Sequence, residues 1–142
     1  MRGPARKDIT MNTPTFAQVD FKGDIAFSAQ CLSETKATGS MDIQDGIRNP
    51  FGTVHAGALI WFADVVATTL CLHGVRPEQG MKGFPLAINL SANLLSNTRE
   101  GTLTARAEYV KKGRQVSTVR TIVETDAGKQ LLDMTTTHIA ST

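Results

Sequence analysis

A chain of 142 residues with 41% hydrophobic and 20% charged side chains is sized and composed for one globular domain with a real core. A net charge of +2, with no Lys/Arg cluster interleaved with aromatics, leaves no nucleic-acid footprint. Cys31 and Cys71 lie in apolar contexts and read as buried free thiols of a reducing compartment, and no apolar signal-peptide core follows Met1, so a cytoplasmic address is expected.

Residues 1–15 are polar, carry Arg2, Arg6 and Lys7, and read as a disordered tail with Met11 as an alternative start; one domain is expected over residues 16–142. Ile25 to Leu32 and Lys36 to Ile43 read as two strands around a Ser33-Glu34-Thr35 connection. In the second strand Ala37, Gly39, Met41 and Ile43 alternate with polar positions. Asp45 to Gly52 carries turn residues. A helix is expected from about His55 to His73, with Gly74 as its stop. From Ala58 to Leu72 nearly every side chain is apolar or small on all faces, which predicts a helix buried all round. The run is too short for the ~20 residues that span a bilayer. Its one carboxylate, Asp64, argues further against lipid, because such a group is seldom buried unpaired or without a task.

Arg76 to Gly83 reads as a flexible connection, and from Phe84 the pattern has period two. Phe84 to Leu95 is a strand, and Ser96 to Gly101 a turn. In the next strand Leu103, Ala105, Ala107 and Tyr109 alternate with Thr104, Arg106 and Glu108. Lys111-Lys112-Gly113 is a hairpin turn, Val116 to Thr125 a strand, Asp126-Ala127-Gly128 a tight turn and Lys129 to Ile139 the last strand. Two strands, one apolar helix and four more strands on short turns predict an α+β fold. In it a curved antiparallel sheet wraps the central helix and covers its faces.

That order resembles the hotdog fold, and the segment Asn49…Gly52-Thr53-Val54-His55-Ala56-Gly57…Ala63-Asp64…Thr68 resembles the acyl-CoA thioesterases of the phenylacetyl-CoA and 4-hydroxybenzoyl-CoA type. Their signature runs Asn or Gln, Gly-x-x-His-Gly-Gly, then Leu/Phe-Ala-Asp/Glu on the central helix. The likeness extends over roughly Gly23 to Ala140; it departs at Ala56, which replaces the first paired glycine, keeping the backbone N–H while its methyl narrows the space for a thioester.

The resemblance implies an acyl-CoA thioesterase, with Asp64 either attacking the thioester carbonyl or activating water. A desolvated carboxylate is the stronger base or nucleophile. Asp64→Ala is accordingly expected to abolish turnover and leave the fold standing. Thr68, one turn on, either bonds that carboxylate or its water, or bonds back to its own helix. The Ala56 N–H, at the positive end of the helix, is the candidate that polarises the carbonyl, with Gly57 beside it against the substrate. His55 is a candidate acid, though the family likeness has it mostly shaping the turn. Asn49 either holds water or carbonyl, or is a turn residue. The resemblance also implies a site shared between subunits of a homodimer or homotetramer, Asn49 and His55 facing the Asp64 of another copy, with Phe84 to Leu95 a place for sheets to join.

Lys111, Lys112 and Arg114 either bind CoA phosphates or form a solvated turn. Asn89, Ser91 and Asn93 line an acyl pocket if they face inward, and meet solvent if outward. Trp61 either bounds a pocket for an aryl or medium-chain acyl group or is core. No Gly-x-Ser-x-Gly, Gly-x-x-x-x-Gly-Lys or Gly-x-Gly-x-x-Gly occurs, and histidines at 55, 73 and 138 have no metal-ligand spacing. No cofactor, metal, nucleic acid or membrane is therefore expected, and His138 reads as structural or exposed. Two alternatives share the fold. Hotdog hydratases carry Asp-x-x-x-x-His on the helix, whereas His55 here precedes Asp64 by nine residues. A non-catalytic acyl-CoA-binding module would suit a lost acid, but Asp64 is retained.

Overall fold

One helix organises the molecule, and its burial stripe shows how. In the computed structural model, which describes residues 24–142, α1 spans Ala56–Leu72. Ala58, Leu59, Phe62, Ala63, Val66, Ala67 and Leu70 are its buried residues, the i, i+3, i+4 stripe of a helix laid on a surface. Its other side is not covered: Trp61 is 46% exposed, and Ile60, Val65, Thr68, Thr69 and Leu72 are partly so. This corrects the expectation of a helix buried all round. A single sheet has one concave face and can cover only one side of the helix laid in it.

That sheet has six strands: β1 (Ser28–Cys31), β2 (Lys36–Asp42), β3 (Pro85–Leu94), β4 (Thr102–Lys112), β5 (Val116–Thr125) and β6 (Gln130–Ala140), in the order β1-β2-β4-β5-β6-β3. Every neighbouring pair is antiparallel. Inward positions come from period-two alternation. Leu103, Ala105 and Ala107 on β4, Val119, Thr121 and Val123 on β5, and Leu132, Met134, Thr136 and His138 on β6 are all buried, and α1 packs on them. Gly39 on β2 is small for a reason: a Cβ there would lie 2.5 Å from a methyl of Val66 and 2.9 Å from Phe62. These contacts give the α+β hotdog arrangement, one helix against a six-stranded antiparallel sheet.

Beyond shifts of one residue at element ends, three expectations differ. The first strand is shorter than Ile25 to Leu32. The loop at Asp45–Ile47 coils into a 3-10 turn. Lys111 and Lys112 belong to β4 rather than to a turn, because the β4–β5 register shifts between Tyr109 and Lys111 and carries the ladder past them. The reversal falls at 113–115, where a Cβ on Gly113 would run into the Val116 carbonyl. The tail expected over residues 1–15, and residues 16–23 of the expected domain, lie outside the described residues. Among the described residues no helix is long and apolar enough to cross a membrane.

Candidate active site

The loop that delivers the helix is closed by its own side chains. Asn49 Oδ1 accepts the N–H groups of Phe51 (3.0 Å) and Thr53 (3.1 Å), and Asn49 Nδ2 donates to Thr53 Oγ1 at 2.6 Å. Gly52 turns the chain at φ 82°, a conformation that favours glycine. Arg48 Nη1 donates to the carbonyls of Gly52 and Arg99 at 3.1 and 2.5 Å, and Arg99 donates to that of Phe51. Asn97, from the β3–β4 connection, brackets Val54: its Oδ1 accepts the Val54 N–H at 3.0 Å and its Nδ2 donates to the Val54 carbonyl at 2.8 Å. Sequence reading treats Asn97 as a turn residue; here it fixes the entry to the helix.

His55 is the N-cap, and its Nδ1 accepts the Gly57 N–H at 3.0 Å. An accepting Nδ1 carries no proton, so the neutral ring holds its hydrogen on Nε2 and presents a donor from an exposed residue. The N–H groups of Ala58 and Leu59 turn back to the His55 carbonyl, at 3.0 and 3.2 Å. With Gly57 also engaged, the Ala56 N–H is the donor of the first turn that has no partner among the described residues. It is therefore available to an incoming oxygen at the positive end of α1.

Asp64 lies two turns further on. It is half-buried, and its Oδ1 is fully buried with no hydrogen-bond partner among the described residues. Burial pushes its carboxyl above the ordinary range, and the nearby His138 pulls it partly back. An open, mostly apolar cavity of about 320 Å³ adjoins it, lined also by Thr68, Phe84, Pro85 and Ala87. Thr68 thus shares the cavity with Asp64, one turn away. It is Thr69 whose hydroxyl bonds back to the helix, donating to the Val65 carbonyl at 2.7 Å.

The remaining expected residues are spread over the molecule. Asn49, His55, Ala56 and Gly57 gather at the helix start, and at 1.5 Å per residue the Ala56 N–H is about 12 Å along the axis from Asp64. Trp61 packs edge-on against Phe27, with ring centroids 5.0 Å apart, and does not line the Asp64 cavity. Asn89 and Ser91 are exposed and pair with Thr137 and Thr135, on the face of the sheet away from α1. Lys112 and Arg114 line a second, smaller cavity of about 170 Å³ with Tyr109 and His138, and the Lys112 ammonium sits 5.7 Å from the Tyr109 ring centre. A shallow hollow of about 400 Å³ lies on the outer face over Arg106, Glu108 and Arg120, whose charges are paired in cross-strand bridges.

His138 is the residue the sequence undervalues. It is 2% exposed, lies on the helix-facing side of β6, and its charge favours the ionised form of Asp64. The signal was its parity: Leu132, Met134, Thr136 and His138 alternate on one face of β6.

The comparisons agree with one another. A model of the thioesterase superfamily matches residues 51–132. The 1,4-dihydroxy-2-naphthoyl-CoA hydrolase of Listeria monocytogenes serotype 1/2a (strain 10403S) is 27% identical over 109 residues, 77% of this chain and 85% of that protein. Among solved structures, a thioesterase from Haemophilus influenzae superposes with a TM-score of 0.70 at 21% identity, covering 80% of this chain and 77% of the other. A hypothetical thioesterase protein of Streptococcus pneumoniae TIGR4, crystallised with coenzyme A, gives 0.72 at 15% identity, over 88% and 96% of the two chains.

Proposed function

Because the chain belongs to the thioesterase superfamily, we propose that it hydrolyses an acyl- or aryl-CoA thioester to a carboxylic acid and free CoA, with Asp64 as the reactive carboxylate. One observation carries this reading: a buried carboxylate oxygen with no partner among the described residues, on the wall of an apolar cavity. Such an oxygen is costly to keep and is already poised to accept a proton or attack a carbon.

As general base, Asp64 takes a proton from water while the water oxygen adds to the thioester carbon; the tetrahedral adduct then collapses with cleavage of the C–S bond, and the proton held on Asp64 goes to the departing CoA thiolate. As nucleophile, it adds directly, expels the CoA thiolate and leaves a mixed anhydride for water to cleave. Both routes put negative charge on the carbonyl oxygen, and this reading assigns to it the Ala56 N–H, which has no partner among the described residues. That donor and Asp64 cannot meet on one carbon within a chain, given about 12 Å of helix between them. The reading therefore assigns Ala56, His55 and Asn49 to one copy and Asp64 with Thr68 to another, in a homodimer or a homotetramer. The exposed edge of β3 supports the first of these, since it ends the sheet with an unpaired side and leaves Leu86, Ile88 and Leu90 about half exposed. Lys112 and Arg114 are assigned to the CoA phosphates.

Thiol release from short, medium, long and aryl acyl-CoAs tests the reading, with wild type beside Asp64→Asn. A naphthoyl-CoA joins the panel because the Listeria relative is named for such a substrate. Turnover that drops about 10²–10⁴-fold in the variant is expected for loss of a general base. Equal release from both proteins removes Asp64 from the mechanism.

A further inference from the structure

The cavity beside Asp64 has a direction. Asp64, Thr68 and Leu72 follow one another at one-turn spacing along α1 and all line it, with Val65 and Thr69 beside them. Phe84 to Ala87, at the start of β3, and Pro77, from the connection between α1 and β3, supply the rest of its wall. Pro85 also borders the smaller cavity together with Cys71 and His73, so it stands at the C-terminal end of the helix. The cavity therefore runs from Asp64 toward the end of α1, along about 12 Å of helix.

Past its first turn this cavity has little to offer a polar group. Thr68 and Thr69 bring its hydroxyls, and that of Thr69 donates to the Val65 carbonyl at 2.7 Å. The backbone of the wall is engaged as well. The Phe84 N–H donates to Ser141 Oγ at 2.9 Å, and the Phe84 carbonyl accepts the Ser141 N–H at 2.8 Å. Pro77 and Pro85 have no N–H to give, the Pro85 carbonyl lies 3.4 Å from His138 Nδ1, and Leu86 and Ala87 belong to the ladder with β6. What remains is the Thr68 hydroxyl, one turn from Asp64 and thus at the reacting end. A hydroxyl or charge on a ligand lying further along would lose its water and gain no partner.

We propose that the acyl group taken by this site is an apolar straight chain of about eight to ten carbons, laid along α1 from Asp64 to Leu72. The proposal rests on the reading of Asp64 as the reactive carboxylate. The length follows from the geometry. An extended chain advances about 1.2 Å per bond, the span of one extended residue divided over its three backbone bonds, so about 12 Å holds about ten atoms. Leu72 and Pro77 form the stop. Together with Val65 and Thr69 they also line a second hollow, of about 420 Å³, which lies on the other side of this helical row toward Phe27, Ala29 and Cys31. Leu72 thus stands between the Asp64 cavity and a space into which a longer chain could pass.

Thiol release from straight acyl-CoAs, from acetyl-CoA to palmitoyl-CoA, reads the length. In wild type kcat/KM is expected to rise about fourfold per added CH₂ group and to level off at about ten carbons. Benzoyl-CoA and 4-hydroxybenzoyl-CoA differ by one hydroxyl and isolate polarity; the hydroxylated acyl group is expected to be about tenfold the poorer substrate. Leu72→Ala opens the stop and is expected to raise kcat/KM for palmitoyl-CoA about tenfold relative to octanoyl-CoA. A profile flat with chain length, equal turnover of the two aryl-CoAs, or a folded Leu72→Ala variant with the wild-type profile overturns the proposal.

A second arm is independent of turnover. Ketone analogues of the same acyl-CoAs, with a CH₂ group between sulfur and carbonyl, cannot be hydrolysed and are titrated into wild type by calorimetry. Their affinity is expected to rise about fourfold per CH₂ group up to the same length, and this arm decides if Leu72→Ala fails to fold. Affinity that does not change with chain length, in a protein that releases thiol, overturns the acyl assignment and leaves the thioesterase reading standing. Affinity that climbs with chain length, with no thiol release from any acyl-CoA, would retain the apolar cavity and reject the thioesterase reading.

Discussion

At the scale of single residues, the consequence of Asp64 for stability is opposite to that of an ordinary ion-paired carboxylate. Its folded-state pKa is raised by burial, so between the ordinary carboxylate range and that raised value the folded chain binds more protons than the unfolded one. Stability then falls as pH rises through that window and stays lower above it. Asp64→Asn removes this cost. The variant is expected to melt above wild type at neutral pH, and the gap is expected to close near about pH 3, where both side chains are uncharged. Calorimetry at the two pH values checks it, and a variant less stable at neutral pH would show that the carboxylate is held by compensating contacts. His138 has the other sign. Its folded-state pKa is lowered by burial, so its contribution is full above the ordinary histidine range and is lost as pH falls through its lowered value.

At the scale of elements, the helix end makes an exchange that can be measured. His73 caps α1 in the left-handed region at φ 49°, a conformation that costs a non-glycine residue about 1–2 kcal/mol. It recovers part of this through Tyr109, whose hydroxyl lies 3.0 Å from His73 Nε2 with the rings stacked. A hydrogen bond of this kind is worth about 0.5–1.5 kcal/mol net. His73→Gly is therefore expected to be near neutral in wild type and to stabilise by about 1 kcal/mol in a Tyr109→Phe background. Equal effects in both backgrounds would show that the Tyr109 contact contributes nothing. The same helix shows what could be read beforehand. Its limits, and β5 over Val116–Thr125, follow from periodicity and a glycine stop that one stretch of chain carries by itself. The exposed side of α1, the passage of β4 through Lys112 and the pinning of Val54 by Asn97 depend on what lies across the sheet or a distant loop, which local pattern does not encode. His138 sits between these cases: parity points it inward, but only the packing of β6 under α1 buries it to 2% exposure.

At the scale of the whole molecule, two surfaces left open by the fold bear on one question. The outer side of α1 carries Trp61, Val65 and Leu72, and the free edge of β3 carries Leu86, Ile88 and Leu90. Apolar groups on an unpaired edge favour association with a second copy, and a twofold contact would repeat every residue pair in both directions. The proposed site requires such an arrangement, since its oxyanion donor and its carboxylate are too far apart within a chain. Ala56→Pro isolates the donor with little disturbance. Proline suits the first helical position, it removes only a backbone hydrogen that has no partner among the described residues, and His55 at ψ 135° already has the conformation that a residue before proline prefers. Ala56→Pro and Asp64→Asn are each expected to form folded, inactive homodimers. When the two are unfolded together and refolded in equal amounts, random pairing makes half of the dimers mixed, each with one intact site in two, so about a quarter of wild-type turnover is expected to return. Refolded mixtures that contain mixed dimers yet stay inactive would place donor and carboxylate of each working site in the same chain, and the shared-site mechanism would have to be given up.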